Sequence, residues 1–439
     1  MFSTDKSDWM PDYLDFLNSQ RKLGYTIEAA IADIADNPYD AGASVCYISL
    51  KTKAASARSK EAKIVENIVF SDNGVGMNKH ELRMSLIPAS TGRIRKYDGE
   101  LGYFGCGLVA SGLSLGNKIE VFTRGVDGDF YTYIDWNEKL KTNSPVNVVR
   151  PCTPDETTGV LNAYLMGAST GTVVWVSDLK LVHKRYDVLL KEIEYHLSTT
   201  YYGLREKYTI FLDKKKIEPW DFLEKDQCPK VSNICGLSDV KTYTVTRDAQ
   251  GRAINSKITL QMSYVKEDNP KRKFDIMGRT NDNQGGALVR NGRMLTRGDM
   301  MGIEKKNPAH NALRFVVSYD DSKLDNHIFT LTVQKDKCLI QDKDFKQWLD
   351  KEVKEFISDV IKPLNEKFRK PNATTVSKPG KLRGVKKTVA QVREEAIASH
   401  PVLIKLKTVN LNTMTPIDAV VLVQKLQAEL INSTKTASN

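Results

Sequence analysis

The stretch AIADIADNPYDAGA, residues 30–43, sets acidic and amide side chains among alanines and isoleucines that are typical of a core. Its apolar residues recur at helical spacing, so the stretch predicts a helix that runs into a turn. Asp33 and Asn37 are four residues apart and therefore share one face of that helix. Asp36 and Asp40 are interpreted as a polar helix edge or a C-terminal cap, which leaves Asp33 and Asn37 to be explained.

Composition is typical of a soluble chain with several domains. The 439 residues are 41% hydrophobic and 27% charged, enough for two or three domains that each bury a core. No run of about 18 apolar residues occurs, and the first residues lack a charged segment followed by an apolar one. We therefore expect a cytoplasmic protein without membrane contact. The six cysteines include no CxxC pair, which favours reduced core thiols over a zinc site.

The charge of the chain is strongly positive. The formal net charge of +11 and the isoelectric point near 9.1 permit contact with nucleic acid or another polyanion. Much of the excess lies in the last third, where residues 367–387 read KFRKPNATTVSKPGKLRGVKK. Such a composition is typical of a solvated linker, and a basic arm that contacts phosphates is the alternative.

Two regions of different patterning precede this basic segment. Residues 26–204 alternate helical periodicity with strand-like runs, which predicts an α/β sandwich. The predicted strands there are SVCYISL (44–50), NIVFSD (67–72), KIEVFTR (118–124), FYTYIDW (130–136) and GTVVWVSDL (171–179), and the predicted helices lie at 27–36, at 79–86, from Gly107 onward and at 184–204.

The second region, residues 208–343, is dominated by strands. The predicted strands are YTIFLDKKKI (208–217), SKITLQMSYV (256–265), GALVRNGRML (286–295), ALRFVVSYD (312–320) and HIFTLTVQKD (327–336). An amphipathic run at 344–368 then predicts a long helix. The pattern indicates a second, α+β domain.

Two glycine-rich motifs lie in the first region. SDNGVGM, residues 71–77, ends a predicted strand with a carboxylate, and its glycines permit positive φ and close backbone approach. Alone, this motif is also typical of an ordinary turn. GELGYFGCGLVASG, residues 99–112, opens an apolar helix, and backbone N–H groups at such a helix start suit phosphates. We call residues 72–77 the DNGVG loop and residues 99–107 the glycine loop.

The order ADIADN, DNGVGM, LGYFGCGL, GTVVWV resembles the four nucleotide-binding motifs of the GHKL ATPases, which include DNA gyrase B, Hsp90, MutL, MORC proteins and histidine kinases. It is most similar to the MutL- and MORC-like ATPases of bacteria and phages. Three runs, NQGGALVRNGRML, HNALRFVVSYD and FTLTVQKDK, resemble the transducer domain of that branch. The resemblance covers roughly residues 20–360.

The resemblance implies a fold and domain boundaries. The expected fold class is α/β, with an N-terminal GHKL (Bergerat) α/β sandwich, then an S5-like α+β transducer domain and a short helical C-terminal tail. The implied boundaries are residues 1–204 for the ATP-binding domain, 205–368 for the transducer, 369–390 for the basic linker and 391–439 for the tail.

It also implies catalytic roles. Asn37 matches the residue whose side-chain oxygen binds Mg²⁺, and Asp33 matches the general base that deprotonates the attacking water. Most relatives carry glutamate at the latter position, and the shorter aspartate is compatible with slow hydrolysis or with binding alone. Lys335 matches the lysine that reaches the γ-phosphate, with Lys337 as the alternative match and a merely basic strand end as the other interpretation.

The remaining implied roles concern the nucleotide. Asp72 matches the acceptor of the adenine amine, Gly74 and Gly76 let the base lie against the backbone, Met77 walls the pocket and Thr172 supports Asp72. The glycine loop would close over ATP as a lid, and its implied nucleotide-binding residues are Gly102, Tyr103, Phe104, Gly105, Cys106, Gly107 and Leu108. Ser90, Thr91 and Arg93 precede the loop and either reach phosphate or lie on the surface.

These roles imply an ATPase that needs ATP and Mg²⁺ and dimerises with nucleotide. One hypothesis is an ATP-controlled homodimeric clamp on DNA, in repair, phage defence or restriction; the alternative is an Hsp90-like chaperone or adaptor for protein partners. The run LNTMTPIDAVVLVQKLQAEL, residues 411–430, resembles the closing helix of MutS-type proteins or is a generic dimerisation helix. A sensor histidine kinase is disfavoured, because no phosphoacceptor helix is found.

Overall fold

The computed structural model describes residues 13–56, 59–87, 99–102, 105, 107–142, 147–180, 185–225, 235–265, 284–303, 305–307, 310–325, 327–331 and 338–367. These residues belong to one compact unit of the chain, residues 1–369. The predicted basic linker at 369–390 and the predicted tail at 391–439 lie outside the described residues. In the described part, no helix is long and apolar enough to cross a membrane.

The first half of the described chain forms a large mixed sheet. Its strands are β1 (Val45–Ser56), β2 (Ser59–Asp72), β3 (Gly116–Gly125), β4 (Gly128–Asp135), β5 (Val149–Pro151), β6 (Gly171–Leu179), β7 (Thr209–Leu212) and β8 (Lys215–Lys216). Within the described residues the strand order is β5-β4-β3-β6-β2-β1-β7-β8. All neighbours are antiparallel except β1 and β7, which run parallel.

Helices cover one face of this sheet. They are α1 (Tyr13–Arg21), α2 (Ile27–Asp40), α3 (Lys79–Ser85), α4 (Gly107–Leu115), α5 (Trp136–Thr142) and α7 (Tyr186–Thr200). The short α6 (Pro154–Glu156) and the π-helical turn at Thr157–Asn162 that continues it lie on the other face. One buried core joins these helices to the sheet. It contains Leu17 of α1, Ile31 of α2, Leu113 of α4, Ile193 of α7 and Ile68 of β2. The helix layer thus holds α2 and α4 side by side, directly above the centre of the sheet.

The opposite face carries a smaller core. Leu161 and Leu165, in and just after the π-helical turn, are buried against Val69, Phe122 and Val173 of the sheet. Because strands alternate their side chains between faces, residues next to these in sequence point toward the helix layer. The α/β sandwich predicted from periodicity is confirmed as a mixed α/β fold with a large sheet.

Predicted and observed elements agree closely in this half. All five predicted strands and all four predicted helices are present, with α2 continuing four residues past its predicted end at Asp36. The run YTIFLDKKKI, which the sequence groups with the second region, forms β7 and β8 instead, and β7 pairs with β1. The first sheet therefore extends past the predicted boundary at residue 204.

The second region forms its own sheet and helix. The strands are β9 (Cys235–Leu237), β10 (Lys241–Arg247), β11 (Ala253–Val265), β12 (Gly285–Arg290), β13 (Arg293–Asp299) and β14 (Leu313–Tyr319), followed by the short pair β15 (Phe329–Leu331) and β16 (Cys338–Ile340). In the described part the main order is β10-β11-β14-β12-β13, with β9 beside β11. The predicted helix at 344–368 is observed as α8 (Lys343–Phe356), a π-helical turn (Ile357–Ile361) and α9 (Lys362–Lys367).

A separate core unites this sheet with α8. Along α8, Phe345, Leu349, Val353 and Phe356 recur at four- and three-residue steps and share a core with Leu260 and Phe315. The cap residue Asp342 accepts a hydrogen bond from the backbone of Phe345 at 2.6 Å, which starts the helix at the end of β16.

Candidate functional site

Helix α2 carries the acidic residues that the sequence singles out. Thr26 caps the helix by accepting from the Ala29 backbone N–H at 3.3 Å. Alanines and isoleucines bury one side of α2 in the core, while Asp33 is also almost fully buried and Asn37 is exposed. The two predicted site residues therefore lie one turn apart, the carboxylate inside and the amide at the surface.

The Asp33 carboxylate is held by a tyrosine. The Tyr25 hydroxyl donates to Asp33 Oδ2 at 3.2 Å. Burial, together with the nearby Asp33 carboxylate, raises the pKa of Tyr25, so the hydroxyl stays protonated and remains a donor. Sequence reasoning missed Tyr25, although its place one residue before the cap of α2 is a local signal.

The start of α4 lies directly against Asp33. A Cβ atom added to Gly107 would stand 2.9 Å from Asp33 Oδ2, closer than real Cβ contacts allow. Gly107 is therefore required by the close approach of the two helices, α4 and α2. The predicted general base thus lies beside the predicted end of the glycine loop.

Asp40 links α2 to the other end of the glycine loop. Its two carboxylate oxygens accept from the backbone N–H groups of Leu101 and Gly102, each at 2.7 Å. The interpretation of Asp40 as an edge or cap residue is wrong, because its carboxylate oxygens accept hydrogen bonds from a loop about 60 residues away in sequence. Such charge-assisted bonds to backbone N–H groups are short and strong, so Asp40 anchors the loop to the helix.

Asp36 is likewise not an edge residue. It is 1% exposed. Its Oδ1 atom lies 2.6 Å from Arg293 Nε and accepts from the Tyr201 hydroxyl at 2.7 Å. Burial alone would lower the pKa of Arg293, but the Asp36 carboxylate, with help from Tyr201 and Asp33, raises it above its ordinary value, so the guanidinium is charged.

The DNGVG loop follows β2 and is folded onto its own carboxylate. The Gly74 backbone N–H donates to Asp72 Oδ1 at 2.8 Å. Gly76 has φ of +68°, and a Cβ there would stand 2.1 Å from the Arg124 carbonyl oxygen. The loop is tied to α2 as well, because the Val75 N–H donates to the Ala41 carbonyl at 3.2 Å.

A threonine that the sequence did not single out holds Met77. The buried Thr123 hydroxyl accepts from the Met77 N–H at 2.9 Å and lies 3.2 Å from the Thr172 hydroxyl. Thr172 precedes Val173, which pairs with Ser71 at the end of β2, so Thr172 is beside Asp72 across the ladder. The predicted adenine residues are thus brought together, with Thr123 as the link between Met77 and Thr172.

The asparagine of the DNGVG loop is a further residue that sequence reasoning missed. Asn73 Oδ1 accepts from the backbone N–H groups of Ser44 and Val45, each at 3.0 Å, and its amide donates to the Ser44 hydroxyl at 3.0 Å. Ser44 immediately precedes β1, and Val45 is its first residue. Asn73 therefore fixes the distance between the two predicted nucleotide-binding segments.

The second region also touches this site. Arg290 Nη1 and Asn291 Nδ2 donate to the Glu100 carbonyl, at 2.8 and 2.9 Å. Glu100 lies at the start of the glycine loop, next to Leu101, which Asp40 holds. One loop is therefore bonded from both α2 and the β12–β13 turn.

The described residues include most of the predicted nucleotide-binding set: Asn37, Asp72, Gly74, Gly76, Met77, Gly102, Gly105, Gly107, Leu108 and Thr172. Four predicted site residues lie outside the described part of the chain: Tyr103, Phe104, Cys106 and Lys335. The same holds for Ser90, Thr91, Arg93 and Lys337. Among the described residues, no group of three or more His, Cys, Asp or Glu side chains is arranged to hold a metal ion.

Comparison with known proteins bears on the first region. Residues 25–167 match a family model described as histidine kinase-, DNA gyrase B-, and HSP90-like ATPase. The match begins at Tyr25 and includes α2, the DNGVG loop and the glycine loop. The resemblance to the GHKL ATPases is confirmed at the level of this superfamily for the matched segment. No curated protein matches the chain.

Proposed function

We propose that the GHKL-type domain of this chain binds ATP with Mg²⁺ between α2, the DNGVG loop and the glycine loop, and hydrolyses it. The observation that carries the proposal is the joining of both ends of the glycine loop to one helix. Asp40 bonds Leu101 and Gly102 at 2.7 Å, and Gly107 lies against Asp33. A loop anchored in this way can close over phosphates beside a carboxylate without leaving the helix.

The adenine end is proposed at the DNGVG loop. Asp72 is oriented by the Gly74 N–H at 2.8 Å, and its carboxylate would accept from the exocyclic amine of adenine. Gly76 lies directly on the Arg124 carbonyl, which holds the loop against β3. Met77 is partly buried against the first core and would form the wall of the pocket.

The phosphate end is proposed where α4 begins. Backbone N–H groups at the start of a helix favour anions, and Gly107 brings that start to Asp33. Asp33 would orient the attacking water and take its proton, and the Tyr25 hydroxyl at 3.2 Å holds the carboxylate in place. Lys335 would add positive charge at the γ-phosphate.

Asn37 fits a magnesium ligand. Its side chain is exposed one turn beyond Asp33, and an amide oxygen is a ligand type that Mg²⁺ accepts. Mg²⁺ prefers a few protein oxygens together with waters and substrate phosphates, so one asparagine is sufficient beside a nucleotide. When bound, the ion would neutralise charge on the phosphates.

Turnover is proposed to be slow. The carboxylate of an aspartate extends one methylene less than that of the glutamate common among the GHKL relatives, and Asp33 is additionally held by Tyr25. Proton transfer requires hydrogen-bond reach between the base and the water. A shorter, restrained base reaches that geometry less often.

The wider role is proposed as a MutL- or MORC-like clamp on DNA, with the second region as an S5-like transducer. The support is the net charge of +11 and the basic segment at 367–387. Phosphate contacts of this kind weaken steeply with salt. Duplex DNA binding that strengthens with a non-hydrolysable ATP analogue, accompanied by dimerisation, is expected; its absence would favour the chaperone or adaptor alternative.

The central claim is tested with the full chain and a fluorescent ATP analogue in Mg²⁺. Asp33→Asn should retain binding and reduce ATP hydrolysis by about 10²- to 10⁴-fold, the usual contribution of a general base. Asn37→Ala should weaken binding in Mg²⁺. Asp155→Asn, at an exposed carboxylate of α6, should change neither quantity. A native chain that binds no nucleotide would overturn the proposal.

A further inference from the structure

The tight turn between β12 and β13 has the form of a two-residue hairpin. Arg290 and Arg293 are its paired ends, and Asn291 and Gly292 are its tip, with φ of +50° and +78°. Positive φ at both tip residues is the Asn-Gly signature of a type I′ turn, whose twist matches that of the strands. The Asn-Gly sequence therefore suits this backbone conformation, which places Arg290 and Arg293 opposite each other beside the tip.

Two side chains of the turn are hydrogen-bonded to the glycine loop. Arg290 and Asn291 both donate to the Glu100 carbonyl, and Arg290 also forms a buried ion pair with Asp325 at 2.8 Å. Asp325 in turn accepts from the Tyr319 hydroxyl at 2.8 Å. The Glu100 carbonyl is thus bonded by side chains that are themselves held by the second core.

The same turn is bonded to α2. Arg293 makes the buried ion pair with Asp36, on the helix turn that lies between Asp33 and Asn37. The backbone of the turn also meets the segment after α7, since a Cβ on Gly203 would stand 2.3 Å from the Gly292 carbonyl oxygen. The turn thus contacts α2 through Arg293 and the segment after α7 through its backbone.

We propose that the turn Arg290–Arg293 is a positioning element of the nucleotide site, a role that rests on the ATP binding proposed above. Arg293 holds α2 in register through Asp36, and Asn291 holds the start of the glycine loop through Glu100. Because one turn bonds both, binding of nucleotide is coupled to the packing of the second sheet on α2, and the coupling is reciprocal. These residues position the site and touch no reacting atom.

Two variants remove these bonds with little change of backbone. Asn291→Gly keeps a residue that tolerates positive φ and deletes the amide that bonds Glu100. Arg293→Lys keeps the charge and loses the planar guanidinium that contacts Asp36. The matched control is Arg297→Lys on the same strand, because Arg297 instead bonds Thr199 at 2.8 Å and stacks on Tyr195 of α7.

The experiment measures binding of the fluorescent ATP analogue, kcat and KM for ATP, and the unfolding midpoint without nucleotide. Asn291→Gly should weaken analogue binding by roughly 2- to 10-fold, the effect of one hydrogen bond. Arg293→Lys should lower kcat more than it raises KM, because it shifts α2 and with it Asp33. Arg297→Lys should lower the unfolding midpoint alone.

The results distinguish a positioning role of the turn from a purely structural one. If the native chain binds the analogue and both turn variants match the Arg297→Lys control in binding and kinetics, the turn is structural only and the inference is wrong. If the native chain binds no analogue, the proposed function fails instead. Recovery of native kcat by Arg293→Lys combined with Asp36→Glu, which restores reach across the pair, would support the positioning role further.

Discussion

Asp36 and Arg293 are 257 residues apart in the chain, yet they form an ion pair at 2.6 Å whose side chains are 2% and 5% exposed. The pair joins the helix that carries the predicted general base to a strand of the second sheet. Both charges are removed from water, so each depends on the other for compensation. This makes the pair the point where folding of the two regions is most directly linked.

Removing one partner of this pair should destabilise the chain severely. Asp36→Ala leaves the Arg293 guanidinium buried and uncompensated, and we expect a loss of about 3–5 kcal/mol in the free energy of unfolding. Urea unfolding followed by circular dichroism measures it. The double variant Asp36→Leu with Arg293→Met should lose less than the sum of the single changes. Single changes that each cost under about 1 kcal/mol, and that add, would contradict a buried pair.

Gly107 offers a direct test of the contact with Asp33. In Gly107→Ala the new Cβ would stand 2.9 Å from Asp33 Oδ2, so either the carboxylate or the start of α4 must shift. ATP hydrolysis should fall at least tenfold, because small displacements of a catalytic group are costly. Gly99→Ala is the control at the other end of the glycine loop, since no atom of the described residues lies within 4 Å of its added Cβ. Equal activity of the two variants would contradict the proposed role of Asp33.

The hydroxyl of Thr123 alone should stabilise the DNGVG loop. Thr123→Val keeps the shape but leaves the Met77 N–H without its 2.9 Å acceptor, at a cost of about 1–3 kcal/mol. Nucleotide affinity and the unfolding midpoint should both decrease. Thr132→Val on β4 is the control, because within the described residues the buried Thr132 hydroxyl has no hydrogen-bond partner. Its stability should be unchanged or higher, and the opposite ranking of the two variants would contradict the assignment.

Local patterns in the sequence predicted α2, the five strands of the first region and both glycine-containing loops. These features depend on neighbours within a few residues: helical spacing around Asp33, and glycines at the ends of strands and helices. The hairpin at Asn291 and Gly292 was included in one predicted strand run, although Asn-Gly is itself a strong local hairpin signal. Local chemistry was therefore sufficient for the outline of the site.

Long-range partners could not be predicted in the same way. The sequence predicts an edge or cap residue at Asp36, because its partner Arg293 comes near only once the second sheet packs on α2. Thr123 was missed because its pairing with Thr172 requires the strand order β3-β6-β2. Likewise, YTIFLDKKKI was assigned to the second region since parallel pairing with β1 leaves no mark in the strand itself.

Lys180 should make stability depend on pH in the alkaline range. Burial lowers the pKa of Lys180 from 10.5 to about 8; the positive charge of Arg21 adds to this effect, and the Asp178 carboxylate opposes it. The Lys180 ammonium donates a hydrogen bond to the Leu113 carbonyl of α4. Between pH 8 and pH 10.5 the unfolded chain binds a proton at this lysine that the folded chain releases. The contribution of Lys180 to the free energy of unfolding should therefore rise with pH across this window.

The measurement is urea unfolding of the native chain and of Lys180→Met at several pH values. The difference in unfolding free energy, native minus variant, should increase as pH rises from 8 to 10.5, because the penalty of the buried ammonium disappears only in the native chain. Lys141→Met, at an exposed lysine of α5, controls for the loss of one positive charge. A difference for Lys180→Met that stays flat or falls across this range would show that the ammonium is not desolvated beside α4.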